Sequence, residues 1–294
     1  MGVLDGRVTV ITGAGRGIGR EHALLFGREG AKVVVNDLGG NPDGTGEDAS
    51  AAQQVVEEIV SAGGEGIANH DDVSTFEGAR NLIDLAVHEF GRLDVLVNNA
   101  GILRDRFLAA MSEEEWDAVI KVHLKGHFST LRHAAEHWKT RAKAGEEVRA
   151  AVINTASGSG TFLPNPGQIN YGTAKAGIAA MSLVAALELE RYGVRVNAIA
   201  PNARTRLTED VPGVGAMFAK PEDPDAFDAF DPANVSPLVA YLATEDCPIT
   251  GKMFMVQGGA IAPCTGWDVG DSISSDGPWT IDAVAEQLGG AARV

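Results

Sequence analysis

Two side chains that could transfer a proton stand four residues apart in the segment Ile-Asn-Tyr-Gly-Thr-Ala-Lys-Ala-Gly, residues 169–177. If this segment is helical, Tyr171 and Lys175 lie on one helix face, so that an ammonium group stands beside a phenol. A free phenol has a pKa of about 10, and a nearby cation lowers that pKa because it stabilises the phenolate. Tyr171 and Lys175 are therefore a candidate acid/base pair. The alternative is an ordinary tyrosine and lysine on a helix surface.

A glycine-rich turn, Thr-Gly-Ala-Gly-Arg-Gly-Ile-Gly at residues 12–19, joins a predicted buried strand to a helical pattern. At such a junction the glycines let a pyrophosphate approach the backbone and the N-terminus of the helix. The spacing departs from the usual G-x-G-x-x-G, because Ile18 occupies the position of the final glycine. We predict that this turn binds a dinucleotide through Gly13, Arg16, Gly17, Ile18 and Gly19; the alternative is an ordinary tight turn.

An acidic residue, Asp37, follows the second predicted strand, 24 residues after Gly13. A carboxylate at this place can accept hydrogen bonds from both ribose hydroxyls of an adenosine and would repel a 2′-phosphate. The sequence therefore favours NAD over NADP as the cofactor. Arg16 could instead reach a phosphate, and Asp37 could be a turn residue that binds its own backbone.

Further polar or small residues follow the third and fourth predicted strands, namely Asp72 with Val73 and Asn99 with Ala100 and Gly101. Open α/β sheets bind ligands at the carboxyl ends of their strands, so we predict that these residues join the cofactor site. Taken singly, Asp72 and Asn99 could each equally be a turn residue.

The elements that position these residues alternate along the chain. Strands are predicted at residues 7–11, 32–36, 66–69, 93–97, 150–154, 195–199 and 252–256. A helical pattern follows the glycine turn, with Ala23, Leu24 and Phe26 apolar, and further helices are predicted at about 49–61, 75–90, 112–144 with a break near 126, 169–192 and 237–244. Alternation predicts an α/β fold with a parallel sheet covered on both faces. We read residues 1–294 as a single domain with a core at about 5–261. A tail at about 262–294 would pack on the core through Trp267 and Trp279, with a short helix at 281–288.

Composition narrows the class of protein. The net charge of −16 argues against nucleic acid and anionic membrane surfaces as partners. Cys247 and Cys264 provide neither a disulfide framework nor metal-ligand spacing, so we expect no metal site and a reducing, cytoplasmic location. The N-terminus lacks a signal-peptide pattern, and no apolar run approaches the roughly 20 residues that span a bilayer. The C-terminus is not a peroxisomal signal.

Taken together, four motifs resemble the short-chain dehydrogenase/reductase family over about residues 5–261. They are, in order, T-G-x-x-x-G-x-G at 12–19, N-N-A-G at 98–101, Ser157, and Y-x-x-x-K at 171–175. Within that family the chain resembles the (3R)-hydroxyacyl-CoA dehydrogenase part of the peroxisomal multifunctional enzymes, in the stretches 34–40, 98–105, 122–126 and 200–203 and in the ending around Trp279-Thr280. The resemblance implies a Rossmann-type, doubly wound sheet of seven parallel strands in the order 3-2-1-4-5-6-7.

The resemblance also implies roles for the candidate residues. Tyr171 would be the catalytic acid/base, and Lys175 would hold the nicotinamide ribose and lower the phenol pKa. Ser157 would bind the substrate oxygen, with Ser159 as a competitor for that role. A hydride would pass between the nicotinamide and the carbinol carbon while Tyr171 exchanges the hydroxyl proton.

Two departures from the family pattern affect the site. His123 stands where many members carry an asparagine that holds a relay water, and it could relay protons near neutral pH or be a satisfied helix histidine. Pro201-Asn202 replaces the usual Pro-Gly. We therefore predict Thr205 as the contact of the nicotinamide carboxamide.

Fewer motifs indicate the residues that contact the substrate than indicate those that contact the cofactor. The acidic segment at about 207–232 lies where the family has its substrate lid and contains Phe218, Phe227 and Phe230, which could cover an acyl chain. Four arginines near the predicted mouth could bind CoA phosphates or be solvated surface charges: Arg104, Arg106, Arg204 and Arg206. We predict an NAD-dependent (3R)-hydroxyacyl-CoA dehydrogenase. The alternatives are a hydroxysteroid dehydrogenase and a non-catalytic NAD sensor.

The helix that carries Tyr171 is small and apolar on most faces. A helix that is apolar all round is buried on more than one side. We therefore predict that one side faces the sheet and the other a second subunit, in a homodimer or homotetramer.

Overall fold

The computed structural model of the chain describes residues 2–46, 48–205, 219–223, 226–266, 268, 272–275 and 277–288. The chain divides into two units, Met1–Cys264 and Thr265–Val294. The second unit contains the helix predicted near its end, at Ile281–Leu288. Trp267, one of the two predicted anchors of the tail, lies outside the described residues, and the packing of the tail on the core stays a prediction.

The first unit is built around one eight-stranded sheet. Its strands are β1 Val8–Thr12, β2 Lys32–Asn36, β3 Glu65–Asn69, β4 Val95–Asn98, β5 Ala150–Thr155, β6 Val194–Pro201, β7 Met253–Gln257 and β8 Ala260–Pro263. Their order is β3-β2-β1-β4-β5-β6-β7-β8, and β1 to β7 are parallel. The predicted Rossmann-type order of seven parallel strands is confirmed. An eighth strand, which lies across the predicted boundary between core and tail, pairs antiparallel with β7.

Helices cover both faces of this sheet. They are α1 Gly17–Arg28, α2 Ser50–Ser61, α3 Phe76–Phe90, α4 Glu113–Ile120, α5 Gly126–Lys143, α6 Ile169–Leu189 and α7 Ser236–Ala243, with α8 Ile281–Leu288 in the second unit. The helix predicted at 112–144 begins with the expected capping box of Ser112 and Glu115. Its interruption is a π-helical turn, Lys121–Lys125, directly before Gly126.

The core lies on both sides of the sheet because successive strand residues point to opposite faces. Val33 and Val35 of β2 pack with Phe26 in one buried cluster. Val34, between them, packs with Trp138 in the cluster on the other face. Burial on both faces explains why the strands are continuous apolar runs, and it leaves their carboxyl ends together at one edge of the sheet.

The expectation that no apolar run approaches the length needed to span a bilayer is wrong for one helix. Helix α6, with the 3-10 turn Glu190–Tyr192 that follows it, is long and apolar enough to cross a membrane by length and composition. In this fold α6 packs on the sheet, where Ile178 and Ala186 belong to the buried clusters. Core helices of α/β proteins pass the same test because they are covered on more than one side.

A buried histidine gives the domain a predictable pH dependence. His22 on α1 is fully buried, and its Nδ1 lies 2.8 Å from the Ser236 hydroxyl on α7. Burial lowers the pKa of His22 to about 3. Since the unfolded pKa is about 6.5, the unfolded chain binds more protons between these values, and the free energy of unfolding falls as the pH falls through that window.

We therefore expect the destabilisation caused by His22→Asn to shrink by up to about 1.4 kcal/mol for each pH unit below about 6.5. Urea unfolding at several pH values measures this difference. His88→Asn is the matched control, because the His88 side chain is largely exposed. A difference between wild type and His22→Asn that does not change with pH would contradict the assignment.

Candidate active site

A cleft of about 360 Å³ opens at the carboxyl ends of the strands. This volume lies within the range of small-molecule sites. Most of the predicted site residues line it: Gly13, Arg16, Gly17, Ile18, Asp37, Asp72, Val73, Asn99, Ala100, Gly101, His123, Tyr171, Lys175 and Thr205. Two predicted residues, Gly19 and Ser157, do not line the cleft.

The glycine turn owes its shape to close backbone packing. Gly13 and Gly17 have φ of 62° and 55°, in the region that glycine adopts without strain. A Cβ on Gly19 would lie 2.1 Å from the Gly13 carbonyl oxygen. Gly19 therefore lets α1 approach the turn closely, and its predicted contact with a cofactor stays a prediction.

Asn99 holds this turn in place. Its Nδ2 donates to the carbonyl oxygens of Thr12 and Gly13, each at 3.1 Å. The Thr12 hydroxyl in turn accepts from the backbone N–H of Asn99 at 2.9 Å. The side-chain donors of Asn99 are thus used to fix the turn, whereas its remaining surface lines the cleft.

The two strand-end carboxylates are both held by backbone N–H groups. Asp37 accepts from Gly15 at 2.7 Å and from Gly39 at 2.6 Å, one bond to each oxygen. Asp72 accepts from the N–H of Ser74 at 2.9 Å. The turn roles considered for both residues are therefore present. A carboxylate oxygen can accept more than one hydrogen bond, so Asp37 keeps acceptor capacity toward the cleft.

Tyr171 and Lys175 lie together at the inner end of the cleft, as their spacing predicted. The Lys175 Nζ lies 5.5 Å from the centre of the Tyr171 ring and donates to the Thr155 carbonyl oxygen at 2.6 Å. Lys175 is 2% exposed, and burial lowers its pKa to about 7. An ammonium pKa near neutrality lets this group respond to the charge of a ligand.

The phenol pKa differs from the sequence expectation. Burial raises the pKa of Tyr171 to about 12; a hydrogen bond with Ser157 opposes this shift, and the nearby Asp105 carboxylate adds to it. The lowered pKa that the sequence analysis expected beside Lys175 is thus not found in this structure. Removal of the phenolate from water outweighs the favourable contacts around it.

The contacts of the two candidate serines distinguish them. The Ser157 hydroxyl bonds to Tyr171 and accepts from the N–H of Ser159 at 3.2 Å. The Ser159 hydroxyl donates to Gln168 at 2.9 Å and accepts from Asn165 at 2.9 Å. Ser159 is therefore engaged within its own loop, and Ser157 is the better candidate for the substrate oxygen.

His123 is buried in the π-helical turn and packs edge-on against the Tyr171 ring, with 5.2 Å between ring centres. Its Nε2 lies 3.0 Å from the N–H and 2.8 Å from the carbonyl oxygen of Ile102, and the tautomer decides which bond forms. Among the residues that the structure describes, none forms a hydrogen bond with Nδ1. Burial lowers the pKa of His123 to about 3, so the imidazole is neutral at pH 7 and does not titrate near neutrality.

One wall of the cleft was not predicted from the sequence. The loop after β2 lines it through Leu38, Gly40, Asn41, Pro42, Gly44 and Gly46. The Pro42 carbonyl accepts from the N–H of Leu103 at 2.9 Å, and the Asp43 carbonyl accepts from Arg104 Nε at 2.9 Å. These two bonds hold the loop against the segment after β4. The signal was its position: a glycine-rich loop at the carboxyl end of a parallel strand.

The arginines predicted near the mouth differ in their partners. Arg106 pairs with Glu115 at 2.8 Å, and Arg204 pairs with Asp228. Within the described part of the chain Arg104 has no carboxylate partner, and its Nε donates to the Asp43 carbonyl. Arg206, Phe218 and most of the predicted lid lie outside the described residues, whereas Phe227 is exposed.

The fold and this arrangement agree with comparisons to known proteins. A family model described as short chain dehydrogenase matches residues 7–211. The chain therefore belongs to the short-chain dehydrogenase/reductase family, whose members are oxidoreductases that bind a nicotinamide nucleotide. A crystal structure of a short chain dehydrogenase from Mycobacterium avium matches with a TM-score of 0.86 and 50% identity, covering 100% of this chain and 98% of that chain.

Curated relatives give the same class. A short-chain type dehydrogenase/reductase of Mycobacterium tuberculosis is 45% identical, covering 88% of this chain and 85% of that protein. A hydroxyacyl-CoA dehydrogenase of the same organism is 44% identical, covering 87% and 78%. Peroxisomal multifunctional enzyme type 2 of Mus musculus is 43% identical over 87% of this chain but only 32% of the mouse protein. The chain thus spans about a third of that multifunctional enzyme.

Proposed function

We propose that the chain is an NAD-dependent dehydrogenase that interconverts a secondary alcohol and a ketone, with a (3R)-hydroxyacyl-CoA as its substrate. The observation that carries the proposal is that Tyr171 and Lys175 line the cleft together, with Ser157 beside the Tyr171 phenol. Tyr171 exchanges the hydroxyl proton, Ser157 binds the substrate oxygen, and Lys175 supplies positive charge beside the phenol. The bound nicotinamide would accept or donate the hydride.

The preference for NAD is supported by the charges around the adenosine end of the cleft. Asp37 lines the cleft and is held there by two backbone N–H groups. Arg16, the residue that could have favoured NADP, donates to the Gly39 carbonyl at 3.2 Å and to the Asp48 carboxylate at 2.9 Å. A 2′-phosphate would therefore meet the Asp37 carboxylate, while the Arg16 guanidinium is already bonded to Gly39 and Asp48.

Asp37→Ser should raise the ratio of kcat/KM with NADP to kcat/KM with NAD by about 30-fold, equivalent to about 2 kcal/mol. The variant removes the repulsion of the phosphate and the acceptor of the ribose hydroxyls together. Initial rates with each cofactor give the ratio. Asp246→Ser changes an exposed acid and should leave the ratio unchanged. An unaltered ratio in Asp37→Ser would refute the NAD assignment through this residue.

The acyl-CoA assignment rests on two features. The hydroxyacyl-CoA dehydrogenase relative shares 44% identity over 87% of this chain. Arg104 follows the N-N-A-G motif and offers its terminal guanidinium nitrogens, which have no carboxylate partner in the described residues, to an anionic substrate. CoA carries phosphates, whereas a free steroid does not, so this arginine favours the thioester.

A substrate panel tests the proposal. The panel contains (3R)- and (3S)-hydroxyacyl-CoAs of several lengths, sterol side-chain CoA thioesters and free hydroxysteroids, each with NAD and with NADP, and formation of reduced nicotinamide is followed by absorbance. Oxidation of (3R)-hydroxyacyl-CoAs with NAD supports the proposal. Turnover of free steroids alone would replace it by hydroxysteroid dehydrogenation. Tight NAD binding without any turnover would favour the sensor.

We also propose that the protein is a homodimer or homotetramer that associates through α6. Three large apolar side chains in the C-terminal half of this helix are exposed on the isolated chain: Leu183, Val184 and Leu187, the last at 78%. Leu187→Glu should shift the molar mass measured by light scattering toward that of one chain, because it places a charge in the interface. A wild-type protein that is monomeric at micromolar concentration would contradict this assembly.

A further inference from the structure

The residue directly before the candidate catalytic tyrosine is completely buried, although it is an asparagine. Asn170 is the second residue of α6, and its side chain is 0% exposed. Buried amides are retained where their hydrogen-bonding groups are satisfied. The partners of this side chain therefore indicate what it does.

Asn170 forms three hydrogen bonds, and all of them involve backbone groups. Its Oδ1 accepts from the N–H of Tyr171 at 2.7 Å. Its Nδ2 donates to the carbonyl oxygen of Arg104 at 2.9 Å and to that of Glu115 at 3.2 Å. A single side chain thus joins the backbone of Tyr171 to the segment after β4 and to helix α4.

The first N–H groups of a helix have no partner within the helix, and Tyr171 is the third residue of α6. The residue before the helix, Gln168, provides no side-chain cap. Instead, Gln168 donates to the Asp105 carboxylate at 2.8 Å, and the N–H of Arg106 donates to the Gly167 carbonyl at 2.8 Å. The segment 104–106 therefore contacts the start of α6 through Gly167 and Gln168 as well as through Asn170.

We propose that Asn170 is a positioning residue, which fixes the backbone of Tyr171 relative to the strand-end segment 99–106 so that the phenol meets the substrate oxygen. This inference rests on the proposed function, because it gives Tyr171 a reacting partner. The same bonds connect the site to the cofactor side, since Arg104 also donates to the Asp43 carbonyl of the loop after β2. Misplacing a reacting group by about 1 Å can cost about 100-fold in rate.

The test compares two buried asparagines that bind backbone groups. Asn170→Leu removes all three bonds with little change in size and charge. Asn197→Leu is the matched control: Asn197 lies on β6, donates to the Ile249 carbonyl at 2.8 Å and accepts from the N–H of Lys252 at 3.1 Å. Thermal unfolding, kcat, and KM for NAD and for the alcohol are measured for both variants and wild type.

We expect both variants to lose thermal stability to a similar degree. Asn170→Leu should also lower kcat about 30-fold or more, with KM for NAD within about threefold of wild type. Asn197→Leu should keep the wild-type kcat. Equal kcat values in wild type and Asn170→Leu would overturn the inference, and so would an equal loss of kcat in Asn197→Leu.

If Asn170→Leu does not fold, Asn170→Ser decides. Its hydroxyl keeps an acceptor near the Tyr171 N–H but is too short to reach both carbonyl oxygens, so kcat should fall by about tenfold. An unchanged kcat would overturn the inference. Failure of the proposed function is distinguishable, because it appears as absence of turnover in wild type with every alcohol of the panel.

Discussion

Replacing Tyr171 by phenylalanine is expected to reduce kcat by about 1,000-fold or more, while the dissociation constant for NAD stays within about threefold of wild type. The variant removes the hydroxyl that exchanges the substrate proton and leaves the ring that packs edge-on against His123. Steady-state rates with the active alcohol and a fluorescence titration of NAD measure the two quantities. The combination separates a loss of chemistry from a loss of the site.

Tyr241→Phe provides the control for this prediction. Tyr241 lies on α7 and is about half exposed, so removal of its hydroxyl should leave kcat unchanged. Retained activity in Tyr171→Phe would exclude the phenol as the acid/base, and the proton would then have to pass through another group of the cleft.

Lys175→Met is expected to lower kcat/KM by about 100-fold or more and to raise the KM for NAD by about tenfold. Two physical effects combine here. The ammonium lies 5.5 Å from the centre of the Tyr171 ring, and burial has raised the pKa of that phenol to about 12, so loss of the cation leaves the phenolate still less stable. A dinucleotide is anionic and would lose a buried positive partner.

The pH dependence of the Lys175→Met variant follows from the same loss of phenolate stabilisation. Alcohol oxidation requires the deprotonated base, so a less stable phenolate moves the rise of kcat to higher pH. Lys125→Met is the matched control, because Lys125 is exposed on the π-helical turn. An unchanged KM for NAD and an unchanged pH profile in Lys175→Met would contradict the role of this lysine.

The sequence predicted the framework well, because buried parallel strands are apolar on both faces and therefore stand out as β-branched runs. The eighth strand was not predicted, although the sequence contains a signal for it. Gly258 and Gly259 form a two-residue turn, with φ of 52° at Gly258, and return the chain from β7 to β8. Two glycines between short apolar runs are a hairpin signal. The strand was overlooked because the remaining elements followed the parallel β–α alternation.

The site was predictable where a residue follows a strand directly, because the carboxyl ends of parallel strands share one edge. The positions of Asp37 and Asn99 were predicted in this way, and that of Tyr171 was predicted from its helical spacing to Lys175. The spacing could not predict the hydrogen-bond partners of each polar side chain. Asn99 donates to the glycine turn, and Asp37 accepts from two backbone N–H groups. Those contacts depend on how loops close over one another, which no periodic pattern records.

Asn170 and the phenol pKa illustrate the same limit. In the sequence Asn170 is only the polar neighbour of Tyr171, and two of its three backbone partners, Arg104 and Glu115, lie more than 50 residues away along the chain. The spacing of Tyr171 and Lys175 indicated a lowered phenol pKa, whereas the burial that raises it depends on the assembled cleft. Charge proximity can be predicted from local spacing, but desolvation requires the tertiary structure.

The measurement that tests the central claim most directly is the formation of NADH when the wild-type protein is mixed with NAD and a (3R)-hydroxyacyl-CoA, with the (3S) epimer in a parallel reaction. The account predicts a rise in the absorbance of reduced nicotinamide with the (3R) substrate, a much smaller rate with the (3S) epimer, and a rate lower by about 1,000-fold or more with Tyr171→Phe. No NADH from either epimer, with NAD binding intact, would contradict it. So would a rate that is the same in wild type and in Tyr171→Phe.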